Sequence, residues 1–363
     1  MMDIEQRSPQ TVKEACIMDL SLLDRRVDAY CTENRISGML RVTRQGEILW
    51  RRSVGFADPV SRAAFSEASM FSFYSLSKPF CAMGLLKLCD RGLVDLEAHP
   101  GAYVPEAAGF DRRVTLRQLL THTSGLPDCE QIPEFAARHR PGYARFAREH
   151  VRLLTAYPQF FEPGTGAKYE NINFLLCALV IEAVTGESYG AYMRREVFDP
   201  LQMRTAVVDD ETRVIPDRVT GCALRDGEPV PAAKSHDWMF GAGDIVGTVD
   251  DAFALNRAIQ GRLLLKPETW VSVLTPNPLN SMGMGCTVSV WHGKRRITHN
   301  GGHTGFRTLH ILLPDEDFDL IFLSNSGYGD ARAALSEKVY EAYFGGAAPQ
   351  PPLATDTGCI PAV

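Results

Sequence analysis

The chain has 363 residues, 45% of them hydrophobic and 23% charged, with a formal net charge of −6 and a pI near 5.9. That composition is ordinary for a globular protein and gives enough length for two domains, or for one core with a large insertion. The 30 arginines are scattered rather than gathered in basic runs, which argues against a nucleic-acid surface, and no apolar run reaches membrane-spanning length.

In chain order, the start MMDIEQRSPQTVKEACIMDL lacks the basic start and apolar run of a signal peptide. Nine widely spaced cysteines, without any Cys-x-x-Cys, suit reduced thiols better than a disulfide framework, so a cytoplasmic protein is expected. Asp19 to Asn34 is amphipathic at helical spacing, with Leu20, Leu23, Val27 and Tyr30 on one side. GMLRVTR and EILWRRSVGF, split by Gln45-Gly46, predict a β-hairpin. CAMGLLKLCDRG predicts a buried helix that stops near Arg91-Gly92. From Val94 to Lys234 the pattern is mostly helical, broken by HTSGLPD and FEPGTGAKYEN. Asp244 to Leu265 begins another helix after a glycine-rich turn. CTVSVWH, RRITHNGG, RTLHILL and DLIFLSN then alternate with turns, and Gly329 to Phe344 closes as an amphipathic helix. The last stretch, GGAAPQPPLATDTGCIPAV, has the composition of a flexible tail.

The terminal parts can form one antiparallel sheet flanked by helices, with the helical block inserted. The expected organisation is an α/β sheet domain from 1–93 and 235–345, a mainly helical insertion over 94–234, and a tail over 346–363. A cleft between two such lobes is a usual place for a small-molecule site.

Three short stretches carry chemistry. FYSLSKPF holds Ser75 three residues before Lys78, the chain's only Ser-x-x-Lys. On a helix these positions share a face, so hydroxyl and amine can meet. A serine hydroxyl is a poor nucleophile until a base accepts its proton, and a partly desolvated lysine in the first helical turn can share that task. The helix start offers N–H groups to an oxyanion, and Pro79 suits that turn. Taken alone, the same residues also describe a serine cap beside an exposed lysine.

The second stretch is Tyr169-Glu170-Asn171: a tyrosine can relay a proton, and an asparagine can hold both a lysine and a substrate carbonyl. The third is His299-Asn300-Gly301-Gly302 at the end of a predicted strand, where glycines let a substrate approach the backbone and receive an N–H. A helix cap and a glycine-rich surface turn are the plain alternatives.

Together, and in this order, the three resemble the serine β-lactamase and penicillin-binding-protein superfamily, in particular its class C-like branch with D-peptidases, esterases and acyltransferases. The resemblance runs from Asp19 to Phe344 through VTRQGEILWRRSVGFAD, MFSFYSLSKPF, VTLRQLLTHTSGLPD, FEPGTGAKYENINFLLCALVIEAVTGESY, GAGDIVGTVDDAFALNRAI, ITHNGGHTGFRT and DLIFLSNSG. It implies an α+β fold, an α/β sandwich of β-lactamase/transpeptidase type. It implies Ser75 as the acylated nucleophile, Lys78 and Tyr169 as the proton-moving groups, and Asn171 as the residue orienting Lys78 and the substrate amide. His299 and Gly301 match the third family motif, and the backbone N–H groups of Ser75 and Gly302 would form the oxyanion hole. No metal or organic cofactor is implied.

Two departures bear on substrate. Where β-lactamases commonly have a lysine for the substrate carboxylate, His299 is charged only when protonated. That favours an ester, or an amide lacking the carboxylate, over a β-lactam. Glu170 stands where the family often has serine, adding a carboxylate beside the proposed Lys78 and Tyr169. The arginine- and aromatic-rich segment Asp128 to Pro158 is a candidate lining of the cleft. His299, His303 and His310 invite a metal site, but strand spacing does not bring such side chains together as a helix would. Cys81 and Cys89 read as core. The expectation is an esterase-like serine hydrolase acting on a small ester or amide, with no nucleic-acid or membrane partner. A D-aminopeptidase or DD-peptidase, an acyltransferase and a non-catalytic binding protein are the rivals, and the oligomeric state is open.

Overall fold

The structure, a computed structural model, describes residues 20–128, 146–210, 214–232 and 239–345. The N-terminal stretch, the tail and most of the segment from Asp128 to Pro158 lie outside the described residues.

Helix α1 (Leu20–Glu33) leads into β1 (Gly38–Arg44) and β2 (Glu47–Val54). Gln45 and Gly46 between them both have positive φ, 52° and 78°, as the tight turn of a twisted hairpin requires. A two-residue strand, β3 (Phe71–Ser72), and a single 3₁₀ turn (Tyr74–Ser77) deliver the chain to α2 (Lys78–Asp90). The helical part follows as α3 (Leu116–Leu120), α4 (Ala147–Leu154), α5 (Ile172–Thr185) and α6 (Tyr189–Met193). Ten consecutive residues of α5, Ile172 to Ile181, are buried, the mark of a helix surrounded on all sides. It ends at Gly186, whose φ of 71° closes the last turn.

The stretch before Lys234 is not helical throughout. It contains β4 (Val207–Val208) and the hairpin β5 (Cys222–Arg225)–β6 (Glu228–Pro231). The helix expected from Asp244 starts later, because Ile245–Gly247 forms β7 between β3 and β4. Helix α7 (Val249–Gln260) begins where Thr248 and Asp251 cap each other's backbone N–H groups. After α8 (Pro267–Val273) come β8 (Thr287–Trp291), β9 (Lys294–His303), β10 (Phe306–Leu313), β11 (Phe318–Ser324) and α9 (Arg332–Phe344).

The main sheet is antiparallel, in the order β2-β1-β11-β10-β9-β8, so strands from both ends of the chain are knitted together by the β1–β11 pair. Side chains alternate between its two faces. Leu309, Ile311, Leu313, Phe318, Leu320 and Phe322 pack with Leu23, Val27, Leu335 and Val339 of α1 and α9. Leu312, Ile321 and Leu323 face the other way, into the core built by α2 and α5. The expected α+β architecture of a sheet flanked by helices is the one observed.

Candidate active site

The chain reaches Ser75 through a constrained turn. Tyr74 has a φ of 48°, a left-handed value for a side chain with a β-carbon, which costs about 1–3 kcal/mol. Its surroundings hold it there. The ring is buried against His303 and Phe306, and its hydroxyl donates to the Thr304 carbonyl at 3.1 Å. Every residue from Phe71 to Phe80 is buried except Ser75, which keeps partial exposure.

Ser75 and Lys78 are spaced across the 3₁₀ turn, where residues three apart eclipse. Lys78 is fully buried, so the reading of an exposed lysine beside a serine cap does not hold. Its Nζ lies 2.9 Å from Ser75 Oγ, 2.8 Å from Asn171 Oδ1 and 2.9 Å from the Ala242 carbonyl oxygen. The Tyr169 ring lies 4.7 Å from Lys78 Nζ.

Asn171 is placed by the start of α5. Asp128, buried and remote in sequence, accepts the backbone N–H groups of Asn171 and of Ile172, the latter at 3.2 Å. It thus does the work of an N-cap from another segment. Glu170 is buried, and its carboxylate pairs with Lys168.

The third stretch lies on β9, directly beside the nucleophile turn. A β-carbon on Gly301 would sit 2.1 Å from the Phe73 carbonyl oxygen and 2.2 Å from Thr308 Oγ1, so no side chain fits. Thr308 fastens the same contact by donating to the Phe73 carbonyl at 2.9 Å. Gly302 is less confined: a β-carbon there would meet only the flexible Arg307 side chain, at 3.2 Å. His299 is buried, its ring 6.2 Å from that of Tyr169. Its Nδ1 lies 2.7 Å from the Asn300 carbonyl oxygen, which can only accept, so Nδ1 carries a proton. Burial, helped by nearby Lys78, pushes its pKa down to about 3, so the imidazole is neutral. Its Nε2 is then a lone pair, with no hydrogen-bond partner among the described residues.

All seven expected site residues therefore fall in one region. Sequence reasoning passed over four neighbours: His122, Asp128, Ala242 and Thr308. His122 and Asp128 stood in the quoted HTSGLPD, read as a break in the helical pattern and as part of a family-like segment, with no site role given to either side chain. Ala242 acts through a carbonyl, which leaves no trace in sequence. Asp244 is also close. It is buried, closes the Gly241–Asp244 turn by accepting the Gly241 N–H at 2.8 Å, and burial pushes its pKa up to about 7.

A protein-family profile described as Beta-lactamase matches residues 23–343. The chain belongs to the beta-lactamase family. Among its relatives is Penicillin-binding protein 4* of Bacillus subtilis (strain 168), 28% identical over 323 residues that cover 81% of this chain and 69% of the relative. Esterase EstB of Burkholderia gladioli is 30% identical over 281 residues, covering 68% and 71%. Among solved structures, the octameric penicillin-binding protein homologue from Pyrococcus abyssi superposes with a TM-score of 0.78 at 20% identity, covering 90% of this chain and 78% of that one. That last likeness concerns the fold. The family that the motifs resembled is the family found, and the chain is a serine hydrolase of it.

Proposed function

We propose that this beta-lactamase-family enzyme hydrolyses a small ester, or an amide without a neighbouring carboxylate, through an acyl-enzyme on Ser75. The observation that carries the substrate class is the neutral His299 with its Nε2 lone pair. A β-lactam or D-Ala-D-Ala peptide asks for a cation where the family commonly has lysine, and a buried, neutral imidazole stands there instead. An aminoacyl amide, which likewise lacks that carboxylate, is the second reading.

In this reading Ser75 Oγ attacks the carbonyl carbon. Its proton passes through Lys78 and Tyr169, which return one to the leaving group, and water then releases the acyl group. Asn171 orients Lys78 and the substrate carbonyl. The N–H groups of Ser75 and Gly302 stabilise the oxyanion, and each such donor is typically worth about 3–4 kcal/mol in the transition state. His299 and Gly301 are substrate-binding residues in this reading. The sheet and the helical insertion form the two walls, and a cytoplasmic setting fits the free cysteines among the described residues.

The test has two steps. A fluorophosphonate probe labels the native protein, and Ser75→Ala abolishes the label; an unlabelled folded protein would sink the assignment. Parallel turnover of p-nitrophenyl butyrate, a chromogenic cephalosporin and D-alanine amide then ranks the substrates. The ester is expected fastest, and cephalosporin turnover orders of magnitude above it would reverse the reading.

A further inference from the structure

One residue outside the expected set makes more contacts with the Tyr169 segment than its sequence setting suggests. His122 sits after α3 with a φ of 56°, left-handed for a residue with a β-carbon, and its side chain is almost fully buried. Strain of this kind persists only where the surroundings fix it. Here the surroundings are the segment from Lys168 to Asn173. The His122 carbonyl accepts the Lys168 N–H at 3.0 Å. Its Nδ1 accepts the Glu170 backbone N–H at 3.2 Å and lies 3.1 Å from Asn173 Nδ2. Its ring stacks on the Tyr169 ring, with centroids 4.2 Å apart and planes 26° off parallel.

These contacts settle the tautomer. A backbone N–H only donates, so Nδ1 is the lone pair and the ring proton is on Nε2. Protonating Nδ1 would break the bond to Glu170 and turn the Asn173 amide nitrogen away. Burial, with Lys78 and His299 nearby, holds the His122 pKa well below the ordinary histidine value, so the accepting form persists. Ser124 extends the grip by donating to Asn173 Oδ1 at 2.6 Å.

Resting on the reading of Tyr169 as a proton-moving group, we infer that His122 is the positioning residue of that group: one imidazole and its own carbonyl hold Lys168, Tyr169, Glu170 and Asn173 in a single clamp. The clamp explains why a neutral ring belongs here. A charged side chain would add a second cation near Lys78, and an aliphatic one would provide neither the plate for Tyr169 nor the acceptor for Glu170. Asp128 fixes the same segment one residue later, at the N–H groups of Asn171 and Ile172. The phenol and the amide that face Lys78 are thus set by two residues of one loop.

The experiment is a double-mutant cycle read by the rate of Ser75 labelling with a fluorophosphonate, paired with amide hydrogen exchange. His122→Ala should slow labelling about 100-fold, the order expected when a reacting group is misplaced by about 1 Å. In steady state on p-nitrophenyl butyrate the loss should fall on kcat, with KM nearly unchanged. Tyr169→Phe should slow labelling too, and the double variant should be no slower than the slower single one, because the clamp acts only through the phenol. The Lys168 and Glu170 amides should exchange at least about 10-fold faster in His122→Ala. His122→Asn, which restores an acceptor near the Nδ1 position, should recover Glu170 protection and part of the rate. Independent, multiplying losses in the cycle would overturn the inference, as would unchanged exchange at Lys168 and Glu170. A native protein that fails to label would count against Ser75, not against the clamp, which the exchange data decide.

Discussion

The two faces of the main sheet share the strands β1, β10 and β11, yet they differ in kind. The face under α1 and α9 carries Leu40, Val42, Leu309, Ile311, Leu313, Phe318, Leu320 and Phe322. The face toward α2 and α7 mixes apolar Leu312, Ile321 and Leu323 with Arg41, Thr43, His299, His310 and Asp319, all buried. His310 stands opposite His299 in register, and Thr43 stands opposite Asp319. His310 Nε2 approaches Asp319 Oδ2 to 2.8 Å, an ion-pair distance without the alignment of a hydrogen bond. Arg41 reaches Asp250 of α7 and lies 4.5 Å over the Phe253 ring. Buried polar groups cost stability unless they are partnered. One face packs apolar residues against α1 and α9, and the other combines core packing with the polar residues beside the site.

The largest effect on that contrast should come from Gly301→Ala. The new methyl collides with the Phe73 carbonyl, displaces the nucleophile turn from β9, and should lower Ser75 labelling by more than about 100-fold. Labelling within a few-fold of the native rate would show that the close approach is dispensable. On the other face, Leu320→Ala should cost about 2–5 kcal/mol, seen as a lower denaturation midpoint, while the folded fraction labels at the native rate. A change in labelling rate without loss of stability would erase the division between the faces.

Acid should separate them next. His122, His299 and His303 are all held neutral by burial, with His299 at about 3 and His303 at about 4. In the unfolded chain they take up protons near pH 6.5, and in the folded chain only well below that. Asp244 opposes them, since its folded pKa of about 7 lies above the unfolded value. Near pH 5 the unfolded chain therefore binds more protons than the folded one, and stability falls as pH drops from about 6.5 toward 4. A thermal midpoint that stays flat across that window would contradict the burial of these rings. Smallest of all should be Gly302→Ala, where only the Arg307 side chain has to move; the folded protein should keep its stability within about 0.5 kcal/mol. A loss as large as that of Gly301→Ala would shift the close approach to residue 302.

What the sequence disclosed follows the same division. The apolar runs of RTLHILL and DLIFLSN, set between turns, were enough to read strands, and the spacing of Ser75 and Lys78 was enough to suggest contact. His310 and Asp319 interrupt otherwise apolar runs, but nothing in the letters says that they face each other across two strands. His122 stayed hidden for a related reason. Its role rests on a left-handed backbone and on hydrogen bonds to residues about 50 positions away, which no local pattern encodes. The β7 strand was missed because three apolar residues between a glycine turn and a threonine cap look like the first turn of a helix.

The β1–β11 pairing also bears on how the protein comes into being. Chains emerge from the ribosome N-terminus first, at about 5–20 residues per second. β1 is complete at Arg44, but the strand that covers its other edge starts at Phe318, so the first hairpin waits on the order of ten seconds to a minute for its neighbour. A lone hairpin is marginal in water, and β9 is made just as late, so neither the sheet nor the wall opposite Ser75 exists during that interval. Synthesis itself thus keeps the nucleophile idle: a half-made chain carries Ser75 and Lys78 but has no β9 against which to set them.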